Sequence, residues 1–246
     1  MDQLHPVALR LEQVALFLDV DGTLLDIAPR PDAVAVPHGL VDRLAAAEQR
    51  LAGALALVSG RPIAELDRLF APLRLRASGV HGSEIRYSPD RPPISLVGDR
   101  LPESAWHDLL RLIESFPGIF AENKGVSFAV HYRNSPVPPA VVAAALRNFI
   151  GQNKELDLEL SAGLCVFEVR TPGFDKGKAI ERFMSGEPFA GRCPVFIADD
   201  VMDRAAFDTV LRHRGQAFAV GAALPGLSGW FAGPQEVRAW LAQLLR

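Results

Sequence analysis

Apolar residues follow two recurring patterns along most of this chain. Unbroken apolar runs predict short strands buried on both faces at residues 14–18, 54–58 and 194–198, with further strands at 73–77 and 216–220. Helical spacing of apolar side chains predicts helices at residues 37–51, 62–70, 175–184 and 234–245. Strands that alternate with helices indicate a parallel sheet built from right-handed βαβ units.

A different pattern occupies residues 98–170. There we predict, in order, a helix, a hairpin, a second helix and a second hairpin, at residues 101–116, 119–132, 138–150 and 156–169. Helices followed by hairpins are typical of an α+β unit with an antiparallel sheet. We therefore expect a core formed by residues 1–97 and 171–246, interrupted by an inserted domain at 98–170.

Composition narrows the possible functions. The chain is 49% hydrophobic and 22% charged, which is typical of a globular protein with a sizeable core. The formal net charge is −3 and no basic run is present, so we expect no nucleic-acid partner. The sequence predicts neither a membrane span nor a secretory signal. We expect a cytoplasmic protein and, by default, a monomer.

The first apolar run ends in a pair of carboxylates. Asp19 and Asp21 follow the strand at residues 14–18, and Gly22 permits a sharp turn after them. Alternation along the strand points both carboxylates the same way, where they repel unless a cation lies between them. Mg²⁺ is the natural candidate, because it is a hard ion that prefers oxygen ligands. The alternative is a polar turn whose residues serve turn chemistry alone.

Polar residues also follow two other predicted strands. Ser59 follows the second apolar run, where it could cap the next helix, and Asp199 and Asp200 follow the run at 194–198. Lys176 lies near a helix start. Because parallel strands place their carboxyl ends at one sheet edge, these groups are predicted to meet there.

Together they indicate a phosphoryl-transfer site. Mg²⁺ would be held by Asp19, by the backbone carbonyl of Val20 or Asp21, and by Asp199. The hydroxyl of Ser59 and the ammonium of Lys176 would bind phosphate oxygens. Asp19 is the candidate nucleophile, and Asp21 the candidate general acid and base.

The order of these motifs resembles the haloacid dehalogenase (HAD) superfamily of phosphatases. Asp19 matches the nucleophile of that superfamily, Asp21 its acid/base, and Ser59, Lys176 and Asp199 its second, third and fourth motifs. The resemblance implies an α/β fold: a HAD-like Rossmannoid parallel-sheet core with an inserted α+β cap domain of the C2 type.

A finer resemblance is to trehalose-6-phosphate phosphatases. The motifs that carry it are Ser-Gly-Arg at 59–61, Gly-x-His-Gly-x-Glu at 79–84, Lys-Gly at 124–125, His-Tyr-Arg at 131–133 and Asp-Lys-Gly at 175–177. The similarity runs from about residue 14 to the C-terminal helix. It implies a Mg²⁺-dependent phosphatase that hydrolyses trehalose 6-phosphate to trehalose and phosphate through an aspartyl-phosphate.

One motif departs from that family. The fourth motif usually reads Gly-Asp-Asp-x-Thr-Asp-Glu, whereas residues 198–204 here read Ala-Asp-Asp-Val-Met-Asp-Arg. The supporting carboxylates Asp200 and Asp203 are kept. Ala198 could crowd the metal loop, while Met202 removes a hydroxyl and Arg204 reverses a charge. We expect an effect on rate or substrate preference rather than on the fold.

The resemblance also implies residues that bind the sugar. Within the inserted domain these are Glu122, Lys124 and Arg133, whose charged groups suit sugar hydroxyls; the alternative for each is a solvated residue on an exposed hairpin. Glu168 is a further candidate because alternation along its apolar strand points it away from Phe167, and its alternative is an outward-facing strand carboxylate. His81 in the core and His131 in the inserted domain are candidate ligands for sugar hydroxyls. Arg61 could orient Asp21 or form a salt bridge at the domain junction.

Two rival functions stay open on the sequence. Another sugar phosphatase, acting on sucrose phosphate or mannosylphosphoglycerate, would keep the site and change the cap residues. A phosphosugar-binding protein with impaired catalysis would fit the altered segment at 198–204. Mg²⁺ affinity separates an enzyme from a binding module, because only the enzyme must hold the metal.

Overall fold

The computed structural model of the protein describes residues 10–98, 100–163, 165–200 and 203–244. The chain forms two compact units. The core unit runs up to Ile94 and resumes at Asp175, and the insert unit is Ser95–Phe174. The predicted insertion at residues 98–170 lies within the second of these units.

Strands and helices alternate along the core unit and give way to helix–hairpin pairs in the insert unit. The described strands are β1 (Val14–Leu18), β2 (Leu55–Val58), β3 (Arg76–Gly79), β4 (Glu84–Arg86), β5 (Ile94–Ser95), β6 (Phe120–Asn123), β7 (Ser127–His131), β8 (Glu159–Gly163), β9 (Val166–Arg170), β10 (Cys193–Ala198), β11 (Gln216–Val220) and β12 (Gly229–Phe231). The described α-helices are α1 (Leu40–Arg50), α2 (Ile63–Leu69), α3 (Glu103–Ile113), α4 (Pro139–Gln152), α5 (Lys176–Met184), α6 (Arg204–Arg212) and α7 (Pro234–Leu244).

The larger sheet has the strand order β12-β11-β10-β1-β2-β3-β4-β5. Neighbouring strands from β12 to β3 pair in parallel, and β4 is antiparallel to β3. Strand β1 lies between β10 and β2, with Phe17 opposite Phe196 on one side and Ala56 on the other. The residues that follow these three strands therefore share one edge of the sheet, and the predicted α/β fold class is confirmed.

The apolar run that predicted β1 reflects burial on both faces. All five of its residues are buried, although successive side chains point to opposite sides of the sheet. On one side the Phe17 ring stacks on Phe189 with centroids 5.3 Å apart, and Phe183 lies 6.0 Å away. This packing holds the end of β1 rigidly in place.

The insert unit is an antiparallel sheet of order β6-β7-β9-β8 with two helices on one face. Its core cluster joins both helices to alternate residues of β7 and β9, including Leu109, Leu146, Phe128, Phe167 and Val169. Successive side chains of a strand point to opposite faces, so the residues of β7 and β9 that lie between these core positions point away from the helices. The predicted order of helix, hairpin, helix and hairpin is confirmed.

Some predicted bounds are wrong. The third strand is Arg76–Gly79 rather than 73–77, so Ser78 and Gly79 belong to the strand and not to the loop. Helix α2 begins at Ile63, with Pro62 as its N-cap residue and no side-chain cap, so Ser59 does not cap it. Strand β8 begins at Glu159, later than predicted. Helix α6 and strands β4, β5 and β12 were not predicted.

Among the described helices, none combines the length and the apolar character that crossing a membrane requires.

Candidate active site

Asp19 lies directly after the buried central strand. The residue is 5% exposed, and its backbone N–H donates to the Ile197 carbonyl at 3.0 Å, which continues the pairing of β1 with β10. The chain then turns tightly, because the N–H groups of Leu24 and Leu25 both donate to the Val20 carbonyl at 2.9 Å. The carboxylate of Asp19 is thereby fixed at the sheet edge.

Lys176 provides the positive charge beside Asp19. It is the first residue of α5, whose N-cap Asp175 accepts from the Lys178 N–H at 2.8 Å. The Nζ of Lys176 lies 3.0 Å from Asp19 Oδ1 and donates to Asp203 Oδ2 at 2.7 Å. All three side chains of this ion-pair group are less than a tenth exposed.

Negative charge exceeds positive charge in this cluster. Burial opposes the charged form of Lys176, but the carboxylates of Asp19 and Asp203 raise its pKa overall. Burial and the neighbouring charge of Asp19 raise the pKa of the Asp199 carboxyl to about 8. Three carboxylates surround one ammonium, so the cluster has an excess of negative charge that a further cation would balance.

The residues present fit a magnesium ion. Asp19 and Asp199 offer carboxylate oxygens at the point where negative charge is in excess, and Mg²⁺ usually keeps several water ligands beside one or two carboxylates. Within the described residues no three His, Cys, Asp or Glu side chains converge as ligands. The predicted set does not need three, since one of its protein ligands is a backbone carbonyl.

The absence of a side chain at Gly22 leaves room for the Asp199 carboxylate. The φ of +73° at Gly22 is left-handed, and a Cβ at this position would overlap the Asp199 carboxylate. Residue 22 therefore needs glycine for two reasons, backbone conformation and the close approach of a metal-ligand candidate.

We expect Gly22→Ala to lower turnover by about 100-fold, because the added methyl displaces Asp199 from its place beside Asp19. Phosphate release measured against Mg²⁺ concentration should show a higher requirement for the metal. Gly221→Ala is the matched control, since Gly221 has a φ of +92° and open space around the added Cβ. Equal losses in the two variants would show that backbone strain, and not the overlap with Asp199, lowers the activity.

Arg61 holds the second aspartate of the first motif. Its Nε and Nη2 donate to the two carboxylate oxygens of Asp21 at 2.7 and 2.8 Å, a bidentate arrangement. Nη1 donates to Glu65 at 3.1 Å, and Nη2 also donates to the Pro31 carbonyl at 3.0 Å. The sequence left two roles open for Arg61, and this geometry supports the first of them, which is to orient Asp21.

The Arg61 pair leaves Asp21 accessible. The Arg61 side chain is 8% exposed, while that of Asp21 is 39% exposed. Burial would lower the pKa of Arg61, but its contacts with Asp21 and Glu65 raise the pKa overall. The guanidinium therefore stays charged and fixes the orientation of Asp21 at the sheet edge.

Ser59 lies beside this pair in a buried turn. Its side chain is 1% exposed, and its Oγ accepts from the Arg61 N–H at 3.2 Å. The serine hydroxyl thus shapes the turn that carries Arg61, the kind of local bond that Ser favours in turns. His81 lies over the same turn, because a Cβ on Gly60 would lie only 2.5 Å from its Nε2.

The candidate sugar-binding residues of the insert unit lie on or next to three neighbouring strands, β6, β7 and β9. Glu122 and Glu168 are both opposite Ala129 in the strand register, on the face away from the helices. Lys124 Nζ donates to Glu168 Oε1 at 2.6 Å, and both side chains are less than a tenth exposed. Arg133 is exposed and lies just beyond β7.

His131, which the sequence marked as a possible ligand for sugar hydroxyls, extends this cluster. Its Nε2 lies 3.4 Å from Glu122 Oε2, and its ring stacks on Phe120 at 4.5 Å. Burial alone would raise the pKa of Glu122, but His131 and Lys124 lower it overall. Glu122 is therefore ionised at neutral pH.

The structure describes part of the segment at residues 198–204, which departs from the family pattern. Ala198 ends β10 and is fully buried. Arg204 opens α6, and its side chain is 72% exposed and paired with Asp208 at 3.1 Å, away from the ion-pair group of Lys176. Asp200 is half-buried, and its backbone carbonyl accepts from the Asp203 N–H at 2.9 Å. Met202 lies outside the described residues.

Two contacts at the site were missed by sequence reasoning. Glu65 binds Arg61, and its position four residues further on marked it as a possible partner. Arg238 of α7 donates to the Leu24 carbonyl at 2.9 Å and so supports the turn after β1. No sequence signal marks that contact, because the two residues lie more than two hundred positions apart.

Comparison with known proteins identifies the family. Residues 17–223 match the family model described as trehalose-phosphatase. The chain is 36% identical to trehalose-6-phosphate phosphatase of Escherichia coli (strain K12), with 94% of this chain and 86% of that protein covered.

Solved structures share the fold. A crystal structure of a trehalose-6-phosphate phosphatase related protein has a TM-score of 0.79 at 22% identity, covering 94% of this chain and 96% of that one. The C-terminal domain of C. albicans trehalose-6-phosphate phosphatase has a TM-score of 0.77 at 20% identity, covering 95% and 93%.

The sheet order, together with the aspartate pair that follows the central strand β1, defines a HAD-like α/β fold. The chain belongs to the trehalose-phosphatase family, which is a family of phosphoric monoester hydrolases. The predicted family, enzyme class and fold are confirmed.

Proposed function

We propose that this protein hydrolyses trehalose 6-phosphate to trehalose and phosphate, with Mg²⁺, through an aspartyl-phosphate on Asp19. The observation that carries the proposal is the buried ion pair of Asp19 and Lys176, with the half-buried Asp199 beside it, at the carboxyl edge of the parallel sheet. A carboxylate nucleophile beside a fixed cation suits phosphoryl transfer. The family match supports the choice of substrate.

In the first half of the reaction, an Asp19 carboxylate oxygen attacks phosphorus. The bond from phosphorus to the sugar oxygen breaks, and Asp21 gives that oxygen its proton. Lys176 keeps Asp19 oriented and offers its ammonium to the phosphoryl oxygens, while Ser59 offers a hydroxyl. In the second half, Asp21 takes a proton from water, the water oxygen attacks phosphorus, and Asp19 is released as a carboxylate.

Asp19, Asp199 and a backbone carbonyl of residue 20 or 21 are the groups that would hold Mg²⁺. When bound, the ion supplies positive charge to the phosphoryl oxygens and offsets the repulsion between the carboxylates. Asp200 and Asp203 act in support. Asp203 does so by holding Lys176 through a 2.7 Å hydrogen bond, which keeps the ammonium next to Asp19.

For the sugar, we propose that Glu122, Lys124, Arg133 and Glu168 bind hydroxyl groups. Ionised side chains make stronger hydrogen bonds to hydroxyls than neutral ones do. Glu122 and Glu168 lie in one row of the insert-unit sheet, and Lys124 is anchored on Glu168. His81 is proposed as a further sugar ligand from the core unit. The cytoplasmic location and the monomeric state stay predictions from the sequence.

The test is phosphate release from trehalose 6-phosphate, sucrose phosphate, mannosylphosphoglycerate and p-nitrophenyl phosphate, with Mg²⁺ and with EDTA. We expect trehalose 6-phosphate to be strongly preferred and all activity to be lost with EDTA. Equal activity on every substrate would keep the roles of Asp19 and Asp21 and reject the sugar-binding residues. A folded protein with no activity on any of them would favour a binding protein.

Glu122→Gln should raise KM for trehalose 6-phosphate by about tenfold, because the amide loses the negative charge that strengthens hydrogen bonds to hydroxyls. The KM for p-nitrophenyl phosphate, which has no sugar, should not change. Glu114→Gln is the control, since Glu114 is exposed at the end of α3 in the same unit. A KM that rises for both substrates would contradict a role in sugar binding.

A further inference from the structure

The motif at residues 79–84 has no role in the reaction above apart from His81. These residues comprise the last residue of β3, the tight turn that follows and the first residue of β4, and we call the whole segment the bracket turn. It lies beside the Ser59–Arg61 turn, which carries one phosphate-binding candidate and the arginine that orients Asp21.

Hydrogen bonds tie the bracket turn to three alternate residues of the neighbouring segment. The His81 N–H donates to the Ser59 carbonyl at 3.1 Å, and the Val80 N–H donates to the Arg61 carbonyl at 3.0 Å. The third bond runs the other way, from the Ile63 N–H to Glu84 Oε2 at 2.9 Å. Because residues 59, 61 and 63 are all held, the backbone between Ser59 and α2 has little freedom to move.

The bracket turn is strained where it makes these bonds. Val80 and His81 have φ values of 46° and 51°, in the left-handed region that side chains rarely adopt. For a β-branched residue such as Val80 this conformation is an outlier. Strained backbone of this kind persists only where its surroundings hold it, and it is concentrated at functional sites.

Two glycines allow the close packing. A Cβ on Gly79 would lie 2.8 Å from the Arg61 carbonyl oxygen and 2.9 Å from both Glu84 Oε2 and the Ile63 nitrogen. A Cβ on Gly82 would lie 2.5 Å from the carbonyl oxygen of Asp175, the residue before Lys176. The bracket turn therefore packs against the second motif on one side and against the start of α5 on the other.

We propose that the bracket turn positions the two phosphate-binding side chains, Ser59 and Lys176, relative to each other, with Gly79 and Glu84 as positioning residues. The inference rests on the proposed function in one respect, that Ser59 and Lys176 bind the phosphoryl group. It does not depend on which sugar carries that group. Neither Gly79 nor Glu84 touches the reacting atoms, and both act through the backbone of residues 59–63.

The first test compares Gly79→Ala with Gly186→Ala. The added methyl at Gly79 would lie too close to the Arg61 carbonyl, Glu84 Oε2 and the Ile63 nitrogen, and it removes no polar group. Nothing lies within 4 Å of a Cβ at Gly186. We expect Gly79→Ala to lower kcat by about 10- to 100-fold on both trehalose 6-phosphate and p-nitrophenyl phosphate, by the same factor, since both share the phosphate. Gly186→Ala should match the wild type.

Inorganic phosphate gives a readout that needs no turnover. The rise in melting temperature on adding phosphate should be present in the wild type and in Gly186→Ala, and much smaller in Gly79→Ala. A purely structural role would lower the melting temperature of Gly79→Ala while leaving kcat per folded molecule and the phosphate-induced shift unchanged. That result, or the absence of a phosphate-induced shift in the wild type, would overturn the proposal.

Glu84 provides a second pair of variants in case Gly79→Ala does not fold. Glu84→Gln keeps an oxygen that can accept from the Ile63 N–H, and Glu84→Ala does not. We expect Gln to retain kcat within about threefold and Ala to lose about tenfold or more. Equal activity of the two variants would overturn the proposal. A wild type that cleaves p-nitrophenyl phosphate but not trehalose 6-phosphate would reject the proposed substrate and leave this comparison valid.

Discussion

Asp19→Asn is expected to abolish phosphate release while the protein stays folded. An amide is not a nucleophile toward phosphorus, so no covalent intermediate can form, and the loss in kcat should be about 10⁴-fold or more. The two side chains have the same shape, and the Asn oxygen can still accept from Lys176, which lies 3.0 Å from Asp19 Oδ1.

Stability should not fall in this variant. Asp19 is one of three carboxylates around a single buried ammonium, and its charge contributes to the raised pKa of the Asp199 carboxyl. Removing that charge lowers the repulsion within the cluster. The melting temperature of Asp19→Asn is therefore expected to equal or exceed that of the wild type in the absence of metal.

Phosphate release, thermal unfolding and labelling by radioactive substrate together check this result. The control is Asp90→Asn, which makes the same chemical change at an exposed position of the core unit. If Asp19→Asn released phosphate at the wild-type rate, or if substrate still labelled it covalently, Asp19 would not be the nucleophile.

Lys176→Met should cost both stability and activity. It removes the ammonium that faces Asp19 and Asp203 and leaves buried carboxylates without their partner, which typically costs about 3–5 kcal/mol. Loss of a fixed cation at the phosphoryl group should also lower kcat by about 10²- to 10³-fold. Methionine matches the apolar stem of lysine as far as Cε and lacks only the ammonium, so packing around the stem changes little.

The pH dependence of this effect has a definite sign. The pKa of Lys176 is raised above its ordinary value of 10.5, so its contribution to stability is fully present below that value and is lost only as pH rises through the higher folded-state pKa. Wild type and Lys176→Met should therefore differ in free energy of unfolding throughout the neutral range.

Urea unfolding and phosphate release measure the two effects separately. Lys178→Met is the control, because Lys178 lies on the same helix with an exposed side chain. If Lys176→Met kept wild-type kcat, the ammonium would have no part in phosphoryl transfer. If it kept wild-type stability, the buried ion pairs would contribute nothing net to folding.

Some features of the fold were predictable because the signal is local. The apolar runs at β1 and β10 predicted buried strands, and the helical spacing at α5 and α7 predicted helices. Other elements lack such a signal. Strands β4, β5 and β12 have only two or three residues each, too short for a period of two to be visible. Helix α6 is different, because its apolar residues Ala206, Phe207 and Val210 have helical spacing and could have predicted it.

The sequence by itself determined which chemical groups the site contains and at which edge of the sheet they lie. Carboxylates and a serine that follow buried parallel strands must share that edge, because parallel strands all end on the same side. The tertiary structure alone decided which groups pair: Arg61 with Asp21, Lys176 with Asp203, and the bracket turn with Ser59. These partners are 22 to 40 positions apart. Such contacts depend on turn conformation and close backbone packing, which neither residue type nor spacing along the chain specifies.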